Sequence, residues 1–143
     1  MKPLIQIVKD APDIAICFAI RSEVFVREQF VDEAIEFDGL DEKSTHFLIK
    51  AGGAPVGTGR VRYLDGKAKI ERIAIRKPHR GKGLGKALME FIIAHIRKEA
   101  KAGKMVLAAQ EQAIAFYTSL KFKIIGDEYM EAGIPHRDME RVL

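Results

Sequence analysis

The stretch Arg80-Gly81-Lys82-Gly83-Leu84-Gly85-Lys86 places three glycines at alternate positions. Glycines so spaced let the backbone turn tightly and bring several N–H groups against one ligand. An amphipathic stretch follows at once, so those N–H groups fall at the positive end of a helix, a ready anion or phosphate site. Spacing removes two phosphate motifs. A nucleotide P-loop counted back from Gly85-Lys86 needs a glycine where Arg80 stands, and its magnesium-binding hydroxyl is replaced by Ala87. A dinucleotide fingerprint starting at Gly81 and Gly83 needs its third glycine where Lys86 stands.

The elements that must hold this loop follow from patterning. Leu4–Val8 alternates as a first strand, and Pro12-Asp13 opens a helix expected to run to about Gln29. Its apolar stripe is Ile14, Cys17, Phe18, Val24 and Phe25, with Arg21 on the same face. Residues Val31–Ser44 are acid-rich without a clear period, which predicts a long ordered loop or a short helix. His46–Lys50 and Val56–Tyr63 read as strands around Gly52-Gly53, and Asp65-Gly66 turns into a strand at Lys69–Arg76. Leu84, Ala87, Leu88, Phe91, Ile92 and Ile96 recur at helical spacing to about Ala102, where Gly103 is expected to stop the helix. Met105–Ala109 reads as a buried strand, Gln112–Leu120 as a short helix, and Phe122–Ile125 and Arg137–Val142 as final strands. The order implies one α/β domain over residues 1–143, a mixed sheet flanked by helices.

Arg80, Gly83 and Gly85 fill the pattern Arg/Gln-x-x-Gly-x-Gly/Ala, between a strand ending Ile73-Ala74-Ile75 and a helix. In that setting the segment resembles the pyrophosphate loop of the GNAT superfamily of N-acetyltransferases. A second signature is Ala113-x-x-Phe116-Tyr117-x-x-Leu120-x-Phe122. Two further stretches resemble the ElaA-like branch of that superfamily. One is Val24-Phe25-Val26-x-Glu28-Gln29 with Glu36-x-Asp38-Gly39-x-Asp41 and His46; the other is Glu131-x-Gly133-Ile134-Pro135-His136-x-x-Met139. The resemblance implies a mostly antiparallel mixed sheet of six to seven strands with about four helices, and acetyl-CoA as the acetyl donor. It implies that Ile73, Ala74 and Ile75 pair with the pantetheine arm and that Arg80, Gly81, Lys82, Gly83, Leu84, Gly85 and Lys86 surround the pyrophosphate. Gln110 and Phe116 would complete the cofactor wall, and Tyr117 would stand beside the cofactor sulfur. One departure is Lys121, where the superfamily usually has glycine; it is expected to alter the turn after the short helix.

The chemistry so implied is attack of a neutral amine on a thioester carbonyl, through a tetrahedral oxyanion, with loss of a thiolate. A lysine-like amine of pKa ~10.4 is neutral about once in 2,500 molecules at pH 7, a handicap of about 4.6 kcal/mol. A base is therefore useful, and Glu71, on the strand leading to the loop, is the candidate by position. His136 or a water chain could serve instead, and Glu71 beside Arg72 also reads as a salt-bridged surface group. Backbone N–H groups near Ile73–Ile75 would stabilise the oxyanion. By the resemblance, Tyr117 protonates the departing thiolate, although proton transfer from a phenol to a thiol of pKa ~8.5 is uphill by about 2 kcal/mol. Phe116-Tyr117 could equally be core. Cys17 and His95, on apolar helix stripes, read as packing residues.

Glu36, Asp38, Asp41, His46 and His136 lack the tight spacing of a zinc or calcium site, and acetyl transfer needs no metal. Two readings stand for these acids and imidazoles. Glu28, Asp38, His46 and His136 could line an acceptor pocket that favours a cationic amine, or the group could organise loops through hydrogen bonds. Composition limits the remaining classes. With 48% hydrophobic and 31% charged residues the chain is neither disordered nor fibrous. No apolar run reaches the ~18 residues of a membrane span, and no signal-peptide core is present. A single cysteine favours a reducing cytoplasm. The net charge of +4 is scattered among 20 acids, unlike a nucleic-acid-binding face. The expected partner is a small-molecule, peptide or protein amine, and the sheet edges would allow a homodimer. A CoA-binding module without turnover is the alternative.

Overall fold

Alternating apolar residues build a single sheet in this computed structural model, which describes residues 2–143. Its strands are β1 (Leu4–Val8), β2 (Thr45–Ala51), β3 (Ala54–Leu64), β4 (Lys67–Ile75), β5 (Lys104–Gln110), β6 (Lys123–Ile124), β7 (Tyr129–Glu131) and β8 (Ile134–Val142). The order is β1-β2-β3-β4-β5-β8-β6, with β7 paired to β8 off that path. Of these pairings β4–β5 is parallel and the others are antiparallel. The eighth strand exceeds the six to seven expected. β7 folds back on β8 through Ala132 and Gly133, both at positive φ (52° and 75°), which matches the twist a two-residue hairpin requires.

Four helices flank the sheet: α1 (Ala11–Arg21), α2 (Glu33–Glu36), α3 (Leu84–Glu99) and α4 (Ile114–Ser119). The helix expected from Pro12 to Gln29 keeps its span but changes pitch, continuing as a π-helix over Ser22–Glu28. Within the acidic segment after it, Asp32 caps α2 by accepting from the Ala34 N–H at 2.8 Å. α3 ends at Ala100, in a left-handed conformation, and not at Gly103 as its sequence suggests. Gly103 instead bonds to Gly66 and Leu143 at the start of β5.

Each face of the sheet has its own core because side chains alternate along a strand. Leu88, Met89, Ile92 and Ile96 of α3 pack on the face that carries Phe47, Ile49 and Met105. Cys17, Ile20, Val24 and Phe25 cover the face of Leu48 and Ala74. Each buried Val, Leu, Ile, Phe or Met side chain among them stabilises the fold by about 1.5–3 kcal/mol. Gly59 permits the close approach of α3, since a Cβ there would lie 2.6 Å from Ile73 Cδ1 and 3.1 Å from Ile92 Cδ1.

After α4 the backbone bonds Lys121 N–H to Thr118 O and Phe122 N–H to Tyr117 O, with Lys121 at φ 72°. This is a Schellman closure with lysine in the position that favours glycine. The turn is thus retained rather than altered, and Lys121 carries the backbone strain. Lys121→Gly is expected to stabilise the protein by about 0.5–1 kcal/mol, because relief of left-handed strain exceeds the added chain entropy. Urea unfolding checks this, and an unchanged midpoint would remove the strain argument.

Candidate active site

Hydrogen bonding between β4 and β5 runs only from Lys67–Lys104 to Lys69–Val106. Beyond it β5 follows β8 to Gln110 and β4 follows β3 to Ile75, so the two strands diverge. Their facing edges are left with unpaired backbone donors and acceptors, a place where an extended ligand can add like a strand. A β-bulge sits at this divergence. The register passes from Thr58–Ala74 to Arg60–Glu71, so Gly59 opposes both Arg72 and Ile73. Bulges bend and twist a strand locally. Arg72 occupies the bulge at φ 57°, a left-handed conformation its bonds help to hold. Its guanidinium lies 3.1 Å from a Glu36 carboxylate oxygen and donates to the Glu36 and Ile35 carbonyls at 3.1 and 3.3 Å.

A cleft of about 590 Å³ follows the split. Ile70–Ile75 and Leu107, Ala108 and Gln110 form its floor, and Tyr117 of α4 reaches it. The π-helix and the β7–β8 hairpin wall it: Val24, Phe25 and Val31 pack in one cluster with Ala132 and Ile134. Tyr117 is buried between Phe116 and Phe122, and burial pushes its phenol up to about 12. Among the described residues its hydroxyl has no hydrogen-bond partner, although it lies at the cleft.

The glycine loop adopts the form its sequence predicts, with one refinement. Gly81 and Gly83 have φ of 76° and 79°, and the space a Cβ would enter is open. Gly85 belongs to α3 with no left-handed backbone, and its Cβ would meet Phe116 at an ordinary 3.5 Å. The first helical bond is Ala87 N–H to Gly83 O, leaving the N–H groups of Leu84, Gly85 and Lys86 without helical acceptors. Gly83→Ala is therefore expected to weaken binding of the CoA that the resemblance implies about five- to thirtyfold, as about 1–2 kcal/mol of strain opposes the loop geometry, whereas Gly85→Ala changes it less than about twofold. Calorimetric titration with CoA distinguishes them; equal effects would contradict the conformational argument.

Arg80 does not stand free beside the loop. Its Nε donates to Ile75 O at 2.8 Å, and its two terminal nitrogens donate to the Glu28 carboxylate at 2.6 and 2.8 Å. That pairing holds the Glu28 carboxyl below the ordinary range. Next to it, Gln29 and Gln110 exchange amide hydrogen bonds of 2.8 and 3.3 Å across the cleft. Gln29 belongs to the Val24–Gln29 stretch, but nothing in that stretch pairs it with Gln110; only the proximity of the π-helix to the end of β5 reveals it.

The acids are organised chiefly by arginines; the sequence points to a salt-bridged Glu71 beside Arg72, whereas its partners are Arg60 and Arg62. Arg21, 1% exposed, bonds Glu36 at 2.7 Å and Asp41 at 2.6 Å. Arg60, fully buried, bonds Asp38 at 2.7 Å and Asp41 at 2.9 Å, and its Nε reaches Glu71 at 3.2 Å. Arg62 adds contacts of 2.6 and 3.1 Å to Glu71, with Lys69 at 3.7 Å. Burial alone would raise the Glu71 carboxyl, but Arg62 and Arg60 outweigh it and hold it below the ordinary range. Glu71, expected as a base, is thus a poor proton acceptor with three cations on it. Asp38 is also depressed: Arg60 and the Leu40 N–H outweigh its desolvation. Strand alternation, which puts Arg60 and Arg62 on one face of β3, was the available signal.

Of the four acceptor candidates, Glu28, Asp38 and His136 line the cleft. His46 does not. Its Nε2 lies 2.9 Å from Asp41 O and its ring stacks edgewise on Phe18, so it braces the loop beneath the charge network. His136 Nδ1 is 2.7 Å from the Ile134 carbonyl, which only accepts, so the ring proton sits on Nδ1 and a neutral ring carries its lone pair on Nε2. Glu131 lies 3.7 Å from that Nε2.

Residues 7–143 match the family model of the acetyltransferase (GNAT) domain. The uncharacterized N-acetyltransferase YjcF of Bacillus subtilis is 37% identical over 134 residues, 93% of this chain and 95% of YjcF. ElaA of Escherichia coli superposes with a TM-score of 0.86 at 24% identity, over 98% of each chain. A GNAT family acetyltransferase from Elizabethkingia anophelis with acetyl-CoA bound superposes with a TM-score of 0.74 at 16% identity, over 99% of this chain and 98% of that one. These two structures share the fold.

Proposed function

We propose, from the premise that this chain belongs to the acetyltransferase (GNAT) family, that it moves acetyl from acetyl-CoA directly to a primary amine. The observation that carries this reading is the β4–β5 split, with the glycine loop at one end and an unpartnered tyrosine hydroxyl beside it. An acetyl-CoA-bound structure of the same fold supports the choice of donor. The free edges of β4 and β5 offer partners to the pantetheine amides. The N–H groups of Leu84, Gly85 and Lys86 receive the pyrophosphate. Arg80 borders that site while fixing the end of β4 and the π-helix through Glu28.

Backbone donors of β4 at the bulge stabilise the developing oxyanion. His136 takes the amine proton, because its Nε2 is unprotonated in the neutral ring and no arginine competes for it. Glu71 acts instead as the counter-charge that holds Arg60 and Arg62 beneath the cleft. Tyr117 donates a hydrogen bond to the departing sulfur.

The test is release of CoA thiol from acetyl-CoA, measured against a panel of primary amines. Amine-dependent release is the expected result. CoA binding with no release by any amine would refute acetyl transfer and favour a CoA-binding module. No helix among the described residues is long and apolar enough to cross a membrane.

A further inference from the structure

We infer that the acceptor is a primary amine bearing one positive charge on an apolar body, an alkylamine or arylalkylamine, and not a polycation; this rests on the acetyl-transfer reading above. Five carboxylates line the cleft: Glu28, Glu36, Asp38, Glu71 and Glu131. Four are already neutralised. Arg80 holds Glu28, Arg21 and Arg72 hold Glu36, Arg60 and Arg72 hold Asp38, and Arg60, Arg62 and Lys69 hold Glu71. Glu131, 56% exposed, has no lysine or arginine within 4.0 Å. The acid-rich appearance of this region therefore does not make a polyanionic pocket.

Glu131 Oε2 and His136 Nε2 are 3.7 Å apart, so an ammonium nitrogen can sit about 2.8 Å from both. One carboxylate then binds the charge and the adjacent imidazole receives a proton from the same nitrogen. Tyr129 stacks on the His136 ring, and Val31, Ile35, Ala132 and Ile134 give the cleft an apolar wall. Phe30, between the lining residues Gln29 and Val31, is 87% exposed at φ 59°. An aromatic residue is uncommon in that left-handed conformation, and its ring is exposed to solvent. A second ammonium group would meet no unpaired carboxylate in the cleft, because the other four are already held by arginine or lysine.

Steady-state thiol release at saturating acetyl-CoA tests this with hexylamine, 2-phenylethylamine and spermidine. The two monoamines are expected to exceed spermidine in kcat/KM by about tenfold or more, and spermidine equal or superior would overturn the proposal. Glu131→Gln is expected to raise the amine KM about tenfold with the acetyl-CoA KM unchanged. An unchanged amine KM would overturn the role of Glu131. Ile35→Asp, at a half-exposed position, adds one carboxylate to the cleft lining. It should shift preference toward spermidine about tenfold, and no shift would overturn the charge argument. If every amine fails while CoA binds, acetyl transfer itself falls and this inference falls with it; activity with spermidine foremost removes the inference alone.

Discussion

Tyr117→Phe is expected to lower kcat about 10- to 1,000-fold, the range of one positioned proton donor or below it. The acetyl-CoA KM and the unfolding midpoint should stay near those of the parent protein. Stability is spared because the hydroxyl makes no bond among the described residues, so its removal orphans no partner. On the proposed mechanism the rate falls because the leaving thiolate loses its donor. With burial raising the phenol to about 12, complete proton transfer to a thiolate of pKa ~8.5 is uphill by about 5 kcal/mol, so the proposed role of Tyr117 is that of a hydrogen-bond donor. The sign of the pH dependence follows: a raised phenol stays protonated, and kcat should show no loss from Tyr117 ionisation between about pH 7 and 10. Single-turnover kinetics checks both statements. A Tyr117→Phe variant with unchanged kcat would exclude the residue from the reaction.

Arg60→Met is expected to destabilise the protein by about 3 kcal/mol at neutral pH, lowering Tm by about 10 °C. Methionine approximates the buried stem, so the loss reports charge more than volume. Asp38, Asp41 and Glu71 would each lose a partner while remaining partly or wholly out of water. Arg72, Arg21 and Arg62 still reach them, which keeps the loss at the lower end for a broken buried pair. All three carboxyls are held below their ordinary values, with arginine contacts outweighing desolvation in each. Their contribution is therefore complete above the unfolded range near pH 4 and is lost as pH falls through the folded values. The difference between parent and variant should be largest from about pH 6 to 8 and shrink below about pH 3. A pH-independent difference in denaturant unfolding would show that packing, not charge, is what Arg60 contributes.

Much of the fold is local and hence legible in the chain. Leu4–Val8 and the helix from Leu84 follow from alternation and from 3.6-residue periodicity, and their starts agree with the structure. The π-helical pitch of Ser22–Glu28 and the strand Tyr129–Glu131 escaped because packing and a single hairpin turn impose them without changing the apolar pattern. Lys121 and Ala100 show the same limit: tertiary closure holds non-glycine residues at positive φ where propensity alone would place glycine.

By itself, the sequence determined the glycine loop, the helix that follows it and the position of Tyr117, because a phosphate cradle is built from neighbouring residues and backbone conformation. Charge was different. Glu36, Asp38, Asp41 and Glu71 looked like a catalytic or acceptor group, but their partners Arg21, Arg60, Arg62 and Arg72 come from other elements or other strand positions. Whether a carboxylate is free to bind or already bound depends on contacts across tens of residues, which only the tertiary structure decides. The same folding set the hairpin that carries Glu131 and His136 against the cleft, at a split that local sequence does not encode.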